Sequence, residues 1–436
     1  MSENPNQKAN VQKDSNIPQE VLGSEMGKAP TESIADNDYN SQEAEDKKMQ
    51  KEKQKHFDQL KWYYKNAFEK WSVITANLEG ERFTFIGSKE EGNKTKNTVI
   101  VKQIEINEGN HLKILKEEYF LACCKSNEYF VEIIDSILLT GEKEKEKEVE
   151  KEEEKEKDYK YNFLILREEG ISLKEFINDK TIYYSKNNAE FILYRVACGL
   201  NILHKKGLSH NDTKPGNIVI TGEGKPKICD MGSAEKVSKV KYGGTNGYCS
   251  PQVLLGKCRT DKDDMWSLGI VFLELLTRKT ESFAHNTGKK MKDSGEKMLK
   301  FILEKKYDIK VNGLDWNTNI KYMDIIRFIR NGEYNRFQYK LKDEVLVDIK
   351  EENDKNVIEN LLKINPKERW SVQNLFDSTL FKILDYKFID SVFYYKDEDY
   401  NKYLRRSPTN EEEFIKFHEE IKQKYIGLSI FDKNKK

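Results

Sequence analysis

Residues 208–220 read LSHNDTKPGNIVI and bring a carboxylate, an ammonium and a carboxamide close together between two apolar ends. The three groups are Asp212, Lys214 and Asn217, with His210 just ahead and Pro215 between them. Such a set suits phosphoryl transfer, in which catalysis is mostly positioning plus charge stabilisation. Lys214 is a point charge fit for a γ-phosphate. Downstream, KPKICDMGSA reads as a strand ending in another carboxylate, Asp230. A hard cation takes oxygen ligands, and two of them from adjacent loops leave its other positions for phosphates and water.

The first run resembles the catalytic loop of protein kinases, H-R-D-x-x-x-x-N. The resemblance implies that Asp212 accepts the proton of an attacking hydroxyl, while Asn217 and Asp230 hold magnesium. Asp230-Met231-Gly232 is similar to the D-F-G motif, with Met231 at the usual phenylalanine. GGTNGYCSPQ, residues 243–252, matches G-T-x-x-Y-x-A-P-E at Gly244, Thr245, Tyr248 and Pro251. Gly232, Thr245 and Tyr248 thereby fall in an activation segment. DDMWSLG supplies Asp264, Trp266, Ser267, Leu268 and Gly269, the opening of a buried central helix, and NPKERWSV supplies Arg369. The five motifs stand in the family's order, and the resemblance covers roughly residues 70–385.

Upstream, TVIVK is similar to V-A-I-K, which would set Lys102 against the α and β phosphates of ATP. A carboxylate on the following stretch, HLKILKEEYFLACC, should hold that lysine. Counting back from NEYFVEIID picks out Glu118, with its neighbour Glu117 as the alternative. By the same counting Ala122, Ile133, Met231 and His210 stack between the lobes, anchored by Asp264. Gly80 is the one plausible phosphate-loop glycine in NLEGERFTFIG, where backbone N–H groups must approach without a Cβ in the way. The implied nucleotide-binding set is Gly80, Ile100, Lys102, Ile165, Leu166, Glu168 and Val219. Ile100 replaces the small alanine that packs on adenine, which narrows the pocket without closing it. Ile165 and Leu166 are both gatekeeper candidates.

Other departures bear on regulation. Asn211 replaces the arginine that usually meets a phosphate on the activation segment. Thr245, Ser238 or Tyr242, if modified, would then find a weaker counter-charge, so activity need not wait on phosphorylation there. Gln252 replaces a glutamate that pairs with the arginine matching Arg369, giving up the charge-assisted part of that bond. His210-Asn211-Asp212 is also similar to the H-N-D of choline and aminoglycoside kinases. Those families lack the G-T-x-x-Y and D-x-W-S-L-G segments. Lys214 and Thr245 favour serine or threonine acceptors over tyrosine. The expectation is therefore an ATP- and Mg2+-dependent serine/threonine protein kinase, acting on protein substrates and open to autophosphorylation. A pseudokinase serving as a binding scaffold or allosteric regulator is the alternative, suggested by the thin glycine loop, Ile100, Asn211 and Gln252.

The elements that must position these groups follow from pattern. The implied fold is α+β and two-lobed: a small antiparallel β-sheet lobe with one helix, and a larger, mainly α-helical lobe. The 436 residues divide into a disordered extension (1–45), a helical lead-in (46–70) whose aromatic pattern reaches Trp71, a small lobe (71–170) and a large lobe (171–385). A Glu/Lys insert at 142–158 interrupts the small lobe as a solvated excursion. The polar stretch 278–353 is longer than such a lobe requires. An aromatic, partly helical tail occupies 386–436. In it Thr409 and Glu412 form a capping box, opening a helix with Phe414, Phe417, Ile421 and Tyr425 on one side. Such a stripe must bury itself, by default through intramolecular docking on the lobes.

Lysine and arginine together number 75, as do aspartate and glutamate, so a net charge of zero argues for neither nucleic acid nor a bilayer as partner. No run of about twenty apolar residues stands out. The six cysteines show no metal spacing and read as reduced thiols, consistent with a cytoplasmic or nuclear location. Cys229, directly before Asp230, reads as inert packing rather than as a reactive thiol.

Overall fold

The computed structural model describes residues 71–79, 82–91, 94–107, 109–139, 161–167, 170–238, 244–279, 295–312, 322–384 and 393–426. The expected extension, the lead-in, the Glu/Lys insert, Gly80, Glu168 and Tyr242 lie outside the described residues. Five strands, β1 (Trp71–Glu79), β2 (Arg82–Glu91), β3 (Lys94–Glu105), β4 (Ile133–Leu139) and β5 (Tyr161–Arg167), are rich in Val, Ile, Thr and Phe. They form one antiparallel sheet in the order β1-β2-β3-β5-β4. Trp71 opens β1 and does not close a helix; the Val73, Ile74 and Thr75 that follow it favour the extended chain.

Register decides which side chains meet. Ile100 lies opposite Leu166, Val101 opposite Ile165, and Lys102 opposite Leu164. Cross-strand partners share a face and neighbours along a strand alternate. Ile100, Lys102, Leu164 and Leu166 therefore line one face, with Val101 and Ile165 on the other. Of the two gatekeeper candidates, Leu166 is the one on the lysine's side.

Helix α1 (His111–Cys123) lies against β4 and the turn Met231–Ser233. It is buried on almost every side, including Lys116, Glu117 and Glu118. Charges so placed need partners, since a lone ion out of water is very costly.

Short strands β6 (Ile171–Ser172), β7 (Leu208–Ser209), β8 (Ile218–Ile220), β9 (Pro226–Ile228) and β10 (Glu235–Lys236) carry the loops on the upper surface of the large lobe. Beneath them stand α2 (Lys186–His204), opened by a Ser185/Asn188 capping box, and α3 (Asp261–Thr277), opened by a Thr260/Asp263 box. Trp266, Leu268, Ile270 and Phe272 are all buried, so α3 is hydrophobic all round and forms the centre of this lobe. The described parts of the long polar stretch form α4 (Gly295–Lys306), α5 (Tyr322–Asn331) and an antiparallel pair, β11 (Tyr307–Val311) with β12 (Phe337–Leu341). After these comes α6 (Glu352–Leu361), packed on α3. No helix among the described residues is long and apolar enough to cross a membrane.

Residues 393–426 carry α7 (Asp397–Tyr403) and α8 (Glu411–Ile421), which cover the outer side of α1. The cap of α8 is one residue later than the sequence suggests. Asn410 accepts the Glu413 amide at 2.8 Å, and Thr409 donates its N–H and hydroxyl to Glu413 Oε2. Either offset satisfies the spacing rule, and Asn is as good a cap as Thr. Phe414, Phe417 and Ile421 are buried, and the Phe414 ring stacks on His111 at 4.4 Å. Tyr394 donates its amide to Cys123 O at 3.0 Å, and Lys125 Nζ donates to Ile426 O at 2.7 Å. Phe414→Ala should therefore cost about 3–5 kcal/mol of stability, as buried phenylalanines do. Denaturant titration checks this, and a loss under about 1 kcal/mol would contradict the packing described.

Candidate functional site

The lower half of the site hangs from one carboxylate. The first turn of α3 sets Asp264 beneath the 210–217 loop, where Oδ2 accepts the His210 amide and Oδ1 the Asn211 amide, both at 2.8 Å. His204 Nε2 lies 2.9 Å from Oδ2. Burial pushes the Asp264 carboxyl upward, but the hydrogen bond and charge of His204, with His210 and the Asn211 amide, together hold it below the ordinary range. It stays ionised and fixes the loop backbone. Asn211 adopts φ of +69°, a left-handed conformation that asparagine tolerates better than arginine does. Its side-chain Nδ2 donates to Ser209 O at 3.2 Å and Ser233 O at 3.0 Å. Asn211 thus ties the loop to the turn after Asp230, a role its identity did not announce.

On that base the chemistry-bearing side chains converge. Lys214 Nζ donates to Asp212 Oδ2 at 3.0 Å and to Thr245 Oγ1 at 2.8 Å. Thr245 donates its hydroxyl to Asp212 Oδ1 at 2.9 Å. Asn217 Nδ2 donates to the Asp212 carbonyl at 2.8 Å and to its Oδ2 at 3.0 Å. Thr245 is thus drawn in among the charged groups, and Gly244 makes this approach feasible. Its φ is +87°, and a Cβ there would stand 2.8 Å from Asn211 O.

The upper half is an ion-pair chain. Lys102 pairs with Glu117, and its Nζ lies 3.6 Å from Asp230 Oδ1. Glu118, picked out by counting, does not meet Lys102; it points instead to His418 of α8, whose Nδ1 lies 3.0 Å from Glu118 Oε2. Adjacent helical residues point about 100° apart, so a one-residue error in counting selects a different neighbour. Asp230 sits at φ +57°, which aims its carboxylate back over the Gly232 amide. A Cβ on Gly232 would come within 3.3 Å of Glu117 Oε2 and Lys113, so a larger residue there would press on both side chains.

Among the described residues no group of three or more His, Cys, Asp or Glu could hold a metal ion by itself. Asp230 and Asn217 still form a coherent pair, because the Cys229 amide donates to Asn217 O at 3.0 Å. Both side-chain hydrogen bonds of Asn217 use its nitrogen, so its amide oxygen remains available as a ligand. Two oxygen donors fit magnesium, which keeps water and phosphate oxygens in its other positions.

Other expected residues take defined places. Ala122, Ile133, Met231 and His210 are all buried. Val219 lies in β8, paired with Ser172 and Lys227. Gln252 Oε1 accepts from Arg369 Nη2 at 2.9 Å, while its nitrogen donates to Ile364 O and Tyr334 OH. Arg369 is fully enclosed; burial lowers its pKa and Asp263, 3.6 Å away, works against that shift. Tyr248 donates to the buried Glu274 at 3.0 Å. Sequence reasoning passed over Arg259, which donates to Asn211 O at 3.0 Å, and over Lys116, Glu235 and His418. None of the four belongs to a short motif.

Cys229 is an inert neighbour of the site. Burial, reinforced by the Asp230 charge, pushes its thiol up to about 12, so the reactive thiolate is scarce near neutral pH. Cys258 is exposed. Brief treatment with iodoacetamide at pH 7.5 should label Cys258 and spare Cys229, read by peptide mass spectrometry. Equal labelling of the two would refute the description of Cys229.

Comparison with known proteins agrees with this geometry. The model of the protein kinase domain matches residues 88–381, more than half of the chain. A probable serine/threonine-protein kinase of Encephalitozoon cuniculi is 38% identical over 110 residues, covering 25% of this chain and 21% of that protein. Mitogen-activated protein kinase 12 of Mus musculus is 31% identical over 120 residues, covering 27% and 32%. Over the curated relatives compared, the matched stretch spans only 19% to 32% of their length. A MAP kinase structure from Leishmania major superposes with a TM-score of 0.54, covering 83% of this chain and 96% of its own at 17% identity, which speaks for the fold. With Asp212, Asn217, Asp230 and Lys102 gathered on that two-lobed α+β fold, the chain belongs to the protein kinase domain family.

Proposed function

We propose that the chain is an ATP-dependent protein kinase that phosphorylates serine and threonine hydroxyls of protein substrates, itself among them. The observation that carries this reading is the hydrogen-bonded cluster of Asp212, Lys214, Asn217 and Thr245, set below the Lys102–Glu117 pair. Asp212 orients the acceptor hydroxyl and takes its proton. Lys214, already on the Asp212 carboxylate, sets a positive charge beside the transferred group. Lys102, held by Glu117, binds phosphate oxygens from above. Asp230 and Asn217 would hold magnesium, which when bound neutralises charge on the phosphates. Ile100 and Leu166, on one face of the sheet with Lys102, and Val219 from below would close on the adenine. With no membrane-crossing helix among the described residues and free cysteines throughout, we place its work in the cytoplasm or nucleus.

Measuring Mg·ATP-dependent phosphate incorporation into a generic Ser/Thr substrate tests the reading. Asp230→Ala should abolish incorporation, and Asp212→Asn should lower kcat by roughly 10²–10⁴, the usual range for loss of a general base. Full activity in either variant would overturn the assignment of that residue.

A further inference from the structure

Three consecutive residues of α1 carry charge, and all three are buried: Lys116 is 4% exposed, Glu117 1% and Glu118 0%. Each has a different partner on a different segment. Lys116 pairs with Glu235 of β10, just beyond the Asp230-Met231-Gly232 turn. Glu117 pairs with Lys102 of β3. Glu118 faces His418 of α8, itself 0% exposed. Successive side chains on a helix point about 100° apart, so these contacts reach around more than half of its circumference.

Residues 393–426 take part in two of the three contacts. His418 meets Glu118 directly, and the Tyr400 hydroxyl of α7 donates to Glu235, the same carboxylate that Lys116 engages. Lys236, next along β10, pairs with Asp397 at the start of α7 and lies over the Tyr400 ring. The remaining carboxylate oxygen of Glu118 and the Nε2 of His418 are buried without a hydrogen-bond partner, with Glu419 Oε1 3.8 Å from that Nε2, so the 3.0 Å contact is the one hydrogen bond between the two side chains.

Glu117 and Glu118 are chemically equivalent, and a turn of about 100° would exchange them before Lys102. What distinguishes them lies outside the helix: His418 occupies Glu118. We propose that residues 393–426 are an in-chain activator that sets the rotation of α1, with His418 and Tyr400 as positioning residues for the Lys102–Glu117 pair. The inference rests on the kinase reading for its effect on turnover, though the contacts themselves do not. It also gives the unmodified Glu235 a task. Its carboxylate joins the activation segment to α1 and to the tail without a phosphate.

The test combines kinetics with amide hydrogen exchange on the full chain. His418→Ala should lower kcat on the order of 10–100-fold, as small misplacements of catalytic groups do, with little change in KM for the acceptor peptide. Exchange should quicken in 111–123 while 186–204 keeps its protection. His418→Asn, which offers an amide N–H near the position of Nδ1, should recover most of kcat. Tyr400→Phe should shift both readouts in the same direction by less, and serves in place of His418→Ala should that variant fail to fold. Unchanged kcat with unchanged exchange in α1 would overturn the proposal. So would a loss of protection spread evenly over the large lobe with no recovery in the asparagine variant. A wild-type chain that transfers no phosphate would refute the kinase reading, while exchange in α1 would still decide whether residues 393–426 set its position.

Discussion

The buried pair between Lys102 and Glu117 is the interaction on which the rest of the structure depends, because neither member comes from the element that carries the chemistry. Lys102 belongs to a sheet strand and Glu117 to a helix, and the pair exists only while sheet, helix and the Asp230 turn are in contact. Taking two ions out of water costs several kcal/mol each, and their attraction offsets this only when the geometry is good and other bonds assist. Asp230 on one side and the bare Cα of Gly232 on the other supply that setting. Such a pair adds little to net stability. Its value is selectivity, since an arrangement that parts the two leaves an uncompensated charge indoors.

The lower lobe solves a similar problem with a fixed anchor. Asp264 is buried at the N-terminal end of α3, where the helix dipole favours a carboxylate, and two backbone amides of the 210–217 loop converge on it. The loop is thereby rigid before any side chain of the site is considered. Asp212, Lys214 and Asn217 then need only short reaches to meet one another. Rigidity below and adjustability above divide the labour: the base is set by the core of the large lobe, and the lysine arrives with the small one.

The sequence disclosed the lower half well because its chemistry restricts residue types at short spacing. Asp212 and Asn217 can be named from one loop, and Asp230 from the next, and the structure joins the first two by hydrogen bonds. Lys102 was legible for the same reason. Its partner was not: Glu117 and Glu118 are adjacent, and only the rotation of α1 separates them. That rotation depends on His418, 300 residues away, which no local pattern can connect. Likewise the tail's apolar stripe of Phe414, Phe417 and Ile421 was readable as a face needing cover, but the ring of His111 that meets it was not. Trp71 and the cap of α8 show a smaller limit. Boundaries slip by a residue wherever neighbours are equally suited to the role.

The distance in sequence between Glu118 and His418 also has a meaning in time. A ribosome makes α1 early and must add 300 further residues before the partner of Glu118 exists. Contacts so remote carry a loop-closure cost that a local contact does not. A product cut short between residues 231 and 418 carries the 210–217 loop, Lys102 and Asp230, yet lacks the side chain that meets Glu118. Whether synthesis has reached residue 418 is thus written into the packing of the helix at 111–123, and a shorter product is marked by the charge it cannot satisfy.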